Sequence, residues 1–181
     1  MKQQGIELID QILEIWKPIL GRDFRGYRNH CCRVHHFCTL LAGGLPTDEK
    51  KISVAAAFHD LGIWENNTLD YLPSSKMLLG KFFEKNQDSE LVLSREEIET
   101  MIEFHHKMTS YRRNREWLVE PFRKADWIDI TYGSLRFGLT KSDVHQAFSA
   151  FPSAGFHRGL ISMTKKRLIT HPFRPLPMIK L

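Results

Sequence analysis

AAAFHDLG, residues 55–62, ends on a histidine and an aspartate at the point where a helix is still burying its apolar side. Ile52, Ala55, Ala56 and His59 lie three, four and seven apart, so the imidazole continues the apolar stripe of a helix expected over 48–61. Gly62 reads as the stop of that helix. Gly43 and Gly44 read as the stop of the helix before it, and Thr47 as the N-cap of this one. Residues 63–75, IWENNTLDYLPSS, read as a loop long enough to serve a function and placed to roof a pocket.

The same anomaly recurs along the chain. His30 sits in the stripe Tyr27, Val34, Phe37, Leu41. His105 follows Ile98, Met101 and Ile102, and Asp126 lies four residues from both Phe122 and Ile130. A single inward histidine is ordinarily a core residue bonded to a carbonyl. An inward aspartate is more demanding, because an unpaired buried carboxylate costs at least several kcal/mol. Three inward histidines and an inward acid on four helices are answered together by one divalent cation. Nitrogen and oxygen donors without thiolate suit Mn, Fe, Co, Ni, Zn or Mg. Adjacent side chains on a helix diverge by about 100°, so His59 and Asp60 can share an ion only near a helix end.

Helical periodicity extends over 5–16, 26–42, 75–86, 94–109, 115–132, 140–149 and 155–169, and no segment alternates as a strand does. Ser94 and Glu97 have the spacing of a capping box. The expected fold is all-α, a single-domain helical bundle over 1–181, with C-terminal helices and a proline-containing tail over 140–181. Net charge is +5, which suits a small anionic substrate and is too mild to point to nucleic acid. Cys31, Cys32 and Cys38 are odd in number and lack CxxC spacing, which reads as reduced thiols in a cytoplasmic protein. No apolar run reaches the roughly 20 residues of a membrane span. The reading leaves a homodimer open.

The order His30, His59–Asp60, Asp126 resembles the H…HD…D signature of the HD-domain metal-dependent phosphohydrolase superfamily. YRNHCCRV (27–34), AAAFHDLG (55–62), EFHH (103–106) and RKADWID (123–129) each look like the corresponding family context, over a motif core of 26–132. The resemblance implies that His30, His59, Asp60 and Asp126 ligate a metal, and that His105 and His106 sit where some members hold a second. The sequence departs from signalling members, which have Lys after the HD-aliphatic-Gly run where Ile63 stands here.

The implied reaction is hydrolysis of a nucleotide or other small phosphorylated metabolite by metal-activated water. Asp60 would orient the water and His105 or His106 would act as general acid. Arg33 and Lys107 would meet the substrate's negative charge. Trp64 and Tyr71 would pack, or stack on a base. Two alternatives stand beside this reading: a di-iron oxygenase or hydratase-like enzyme on the same scaffold, and a metal-containing regulatory module without turnover.

Overall fold

The computed structural model describes residues 3–43, 45, 48–86 and 88–172. The described residues form helices and no strand. In chain order these are α1 (Gln3–Leu20), a short 3-10 turn (Gly21–Asp23), α2 (Phe24–Leu41), α3 (Glu49–Phe58), α4 (Gly62–Asn66), α5 (Leu72–Lys85), α6 (Ser89–Leu93), α7 (Arg95–Phe104), α8 (Val119–Ile130), α9 (Lys141–Ala150) and α10 (Phe156–Thr170).

α2 is the central helix. Tyr27, His30, Val34 and Phe37 are fully buried, as their spacing predicts, but so are Cys31, Cys32, Arg33 and Cys38 on the other faces. A helix buried all round lies inside the bundle, and α2 packs against α1, α3 and, most extensively, α8. α3 is the second interior helix, buried from Ile52 to Phe58. Its run of alanines keeps side chains short where α1, α2 and α7 close on it. All three cysteines are free and buried. No helix among the described residues is long and apolar enough to cross a membrane.

Several local expectations change. α1 continues past residue 16, through Pro18 to Leu20, and stops at Gly21, whose φ of +51° favours glycine. Thr47 lies outside the described residues, as do Gly44 and the tail beyond 172; the helix that follows is capped by Asp48, which accepts from Lys51 N at 3.3 Å. Gly62 opens α4 instead of closing α3. A Cβ there would stand 2.5 Å from the Tyr71 carbonyl oxygen and 2.6 Å from Ser75 N, so glycine is required by the close approach of α5. The expected 63–75 loop contracts to 67–71, with Asn67 ending α4 in a left-handed conformation. Ser94 makes no capping bond. Glu97 is drawn away by tertiary partners and accepts from Leu118 N at 2.6 Å and Lys51 Nζ at 2.7 Å.

Candidate metal centre

Four elements converge on one buried point. α2 brings His30, the turn after α3 brings His59 and Asp60, the turn after α7 brings His105 and His106, and α8 brings Asp126. All except His106 are buried to 1% exposure or less; His106 is 12% exposed. Ser75, on α5, secures the His59–Asp60 turn: its hydroxyl donates to the His59 carbonyl and accepts from Gly62 N, both at 3.0 Å.

Tautomers follow from the partners. His59 Nδ1 lies 2.8 Å from the Ala56 carbonyl, which only accepts, so Nδ1 carries the proton. His30 Nδ1 lies 2.6 Å from the Asp129 carboxylate and donates in the same way. Both neutral rings then turn a lone pair inward, with the two Nε2 atoms 2.8 Å apart. Two lone pairs stand that close only with a cation between them. Asp126 Oδ1 lies 3.6 Å from each Nε2, and Asp60 Oδ2 lies 3.7 Å from each. Both Asp126 oxygens are buried without a hydrogen bond, though Oδ2 is 3.2 Å from His106 Nδ1. Atoms bound to one ion at about 2.1 Å stand about 3 to 3.6 Å apart, close to the spacing found here. The donor set therefore fits a divalent ion.

The protonation balance agrees. Burial pulls His59 down, but Asp60 and then Asp126 outweigh it and hold the imidazole up at about 9. In the metal-free protein a proton thus takes the place between His30 and His59. Burial lowers His30 and, with His106 beside it, brings His105 to about 4, leaving both neutral. Burial would raise Asp60 and Asp126, yet the surrounding histidines hold both carboxyls below the usual range.

Asp60 faces a second group through its other oxygen. Oδ1 lies 3.3 Å from His105 Nε2 and 3.8 Å from His106 Nε2. His105 Nδ1 donates to the Ile102 carbonyl, which leaves its Nε2 lone pair facing Asp60. The Tyr71 hydroxyl lies 2.6 Å from His106 Nε2 and 3.1 Å from His105 Nε2. Asp60, His105 and His106 form a second set of potential ligands, joined to the first through Asp60.

Two residues expected at the substrate lie elsewhere. Arg33 is fully buried, its Nε and Nη2 on the Asp129 carboxylate, its Nη1 donating to the Phe151 carbonyl at 2.7 Å, and its guanidinium over the Phe148 ring. It is a charge partner within the bundle and is not available to a phosphate. Lys107 stands over the Phe104 ring, its Nζ 4.7 Å from the centroid, and lines a separate surface hollow with Thr109 to Arg113. Trp64 packs on Tyr27 and donates from Nε1 to Asp23. Tyr71 packs beneath the two histidines and also lines the cavity beside them.

The sequence reading passed over Asp129 and His157. Asp129 is fully buried and holds both His30 and Arg33; burial would raise its carboxyl, but His30 and then Arg33 keep it well below the usual range. His157 donates from Nε2 to the Asp129 carbonyl at 2.9 Å and accepts at Nδ1 from Ser153 Oγ at 2.8 Å. Asp129 was findable, being three residues beyond Asp126 and so on the same face. His157 carried no comparable signal.

A cavity of about 440 Å³ opens at Asp60 and His106. Its walls come from the 63–71 segment, from α8 and the turn after it, and from α10.

The HD-domain family model matches residues 27–131. Comparison with curated proteins and with solved structures gives no match. The matched span begins just before His30, ends just after Asp129, and contains both sets of potential ligands; the chain belongs to the HD-domain family.

Proposed function

We propose that this protein is a metal-dependent phosphohydrolase acting on a small phosphorylated metabolite. One observation carries the reading. Two facing Nε2 atoms at 2.8 Å and a buried Asp126 carboxylate that has histidine nitrogens near it but no hydrogen bond adjoin a cavity through Asp60 and His106. His30, His59, Asp60 and Asp126 would hold one divalent ion, and Asp60, His105 and His106 a second. When bound, such a metal lowers the pKa of a water and polarises a phosphoryl oxygen.

The chain's own groups supply the rest. Asp60, at the cavity floor, accepts a hydrogen bond from the attacking water and orients it. His106 lines the cavity, whereas His105 is fully enclosed with Nδ1 tied to Ile102. Of the two, His106 is the one placed to protonate the leaving oxygen when a single ion is bound; with a second ion it is a ligand instead. Its contact with the Tyr71 hydroxyl fixes the ring.

Metal analysis of the purified protein, paired with a panel of phosphomonoesters and phosphodiesters assayed with Mn, Co, Ni, Zn and Mg, tests this. His59→Ala and Asp60→Ala are expected to lose both metal and hydrolysis, and full activity in either variant overturns the assignment. The second ligand set also favours a di-iron oxygenase or hydratase-like reading. A mixed-valent iron signal in active protein, with no phosphoester hydrolysed, decides for that reading.

A further inference from the structure

The wall of the cavity is chemically uneven. Asp60 and His106 form one end, while Ile63, Leu69, Trp127, Ile130, Leu160 and Ile161 supply much of the remainder. The polar groups along that wall are mostly turned into the protein. Thr131 Oγ1 donates to the Trp127 carbonyl at 2.7 Å, and Tyr132 donates to Ser153 at 3.3 Å. Both nitrogens of His157 are engaged, and the Tyr71 hydroxyl is held between two histidines. What remains for a ligand is the Trp127 Nε1–H, buried without a hydrogen-bond partner, together with Thr164 and Lys165, the last the one lysine or arginine among the described lining residues.

A nucleobase or a sugar entering this space would give up several hydrogen bonds to water and regain few. A di- or triphosphate would meet a single lysine. An aromatic or branched aliphatic body would bury its surface against side chains of like character, in a volume ordinary for a small-molecule site.

We infer that the site takes a phosphate monoester of low charge with an apolar aryl or alkyl body, in preference to nucleotides and sugar phosphates. The inference rests on the metal cluster being the reacting end of the cavity. The reacting group sits at Asp60 and His106, the apolar body lies along α8 and α10, and Lys165 balances one negative charge.

The test separates binding from turnover. With the full chain loaded with Mn, affinities are measured by calorimetry for 2-naphthylmethylphosphonate, methylphosphonate and AMP, and hydrolysis is measured for 2-naphthyl phosphate, glucose 6-phosphate and AMP. The naphthyl phosphonate is expected to bind about 10- to 100-fold more tightly than methylphosphonate, the range that partial burial of a bicyclic ring supplies. Ile161→Asn, at a position 54% exposed and so tolerant of change, and Leu160→Asn should shrink that ratio at least about threefold, which general destabilisation would not do. AMP binding as tightly as the naphthyl ligand, a ratio unmoved by both variants, or no binding of either phosphonate overturns the inference. Tight, variant-sensitive naphthyl binding without hydrolysis of any ester sustains it and overturns the phosphohydrolase reading. Hydrolysis with AMP preferred does the reverse.

Discussion

Replacing Asp129 with asparagine keeps the side chain's size and removes its charge. In the native arrangement the carboxylate takes the His30 Nδ1 proton at 2.6 Å, pairs with two nitrogens of a fully buried Arg33, and lies 3.4 Å from His157 Nε2. Asparagine leaves that guanidinium buried without a counter-charge, a change that typically costs about 3 to 5 kcal/mol. For a chain of 181 residues, an unfolding entropy of about 2.1 cal/mol/K per residue converts this to a fall in Tm of about 8 to 13 °C. Losing the carboxylate behind a ligating imidazole should also weaken metal binding about 10- to 100-fold. Scanning calorimetry of the metal-free protein reads the first effect, and equilibrium dialysis against Mn or Zn reads the second. Arg33→Met combined with Asp129→Asn removes the orphaned cation. That double variant should recover roughly half of the lost Tm while metal affinity stays low. Wild-type Tm and metal affinity in Asp129→Asn would refute the reasoning, and recovered affinity in the double variant would refute the positioning of His30 by Asp129.

Gly62→Ala places a Cβ against the backbone of Tyr71 and Ser75, which cannot swing aside as a flexible side chain can. A stability loss of about 1 to 3 kcal/mol is expected, read as a lower denaturant midpoint, and an unchanged midpoint would show that α5 does not press on the His59–Asp60 turn. Metal binding should release a proton, because His59 is held at about 9 in the metal-free protein and ligates only when neutral. Apparent affinity should therefore rise about tenfold per pH unit from pH 7 and level off above about pH 9. Calorimetry in two buffers of different ionisation heat counts the released proton, and a pH-independent affinity would contradict the assignment. The same raised value means that His59 stabilises the metal-free fold fully below its unfolded pKa, near 6.5, and that this contribution fades as pH rises through about 9.

Helical periodicity placed His30, His59, His105 and Asp126 on inward faces because Cβ direction is fixed by position along a helix. That is why these four members of the candidate centre were legible, whereas Asp60 and His106 entered through the family resemblance. Periodicity also placed Arg33 one turn from His30, but not its partner, which lies 96 positions away on α8. An inward arginine beside a proposed phosphate site reads as a substrate ligand until that carboxylate is seen. Gly62 was misread for a similar reason: its role is set by α5 pressing on its backbone, and local sequence registers only that glycine often ends helices. The cavity was not legible at all, since α8, α10 and the 63–71 segment meet only in three dimensions.

Charge balance carries the argument about metal number further. The buried cluster holds three carboxylates, Asp60 and Asp126 among the histidines and Asp129 behind His30, and one guanidinium, Arg33, paired with Asp129. With every histidine neutral, the cluster lacks two positive charges, and one divalent ion supplies them. A second ion at Asp60, His105 and His106 would leave the centre with two positive charges in surroundings of low dielectric, which is costly unless an anion enters with it. The expected resting protein therefore retains one metal per chain after dialysis, and the second binds only when phosphate or a phosphonate is present. Metal analysis by mass spectrometry, with and without 10-fold excess phosphonate, checks this. Two tightly held ions in phosphonate-free protein would mean that a further negative group, such as a bridging hydroxide, completes the centre, and that the count of three carboxylates is not what sets its occupancy.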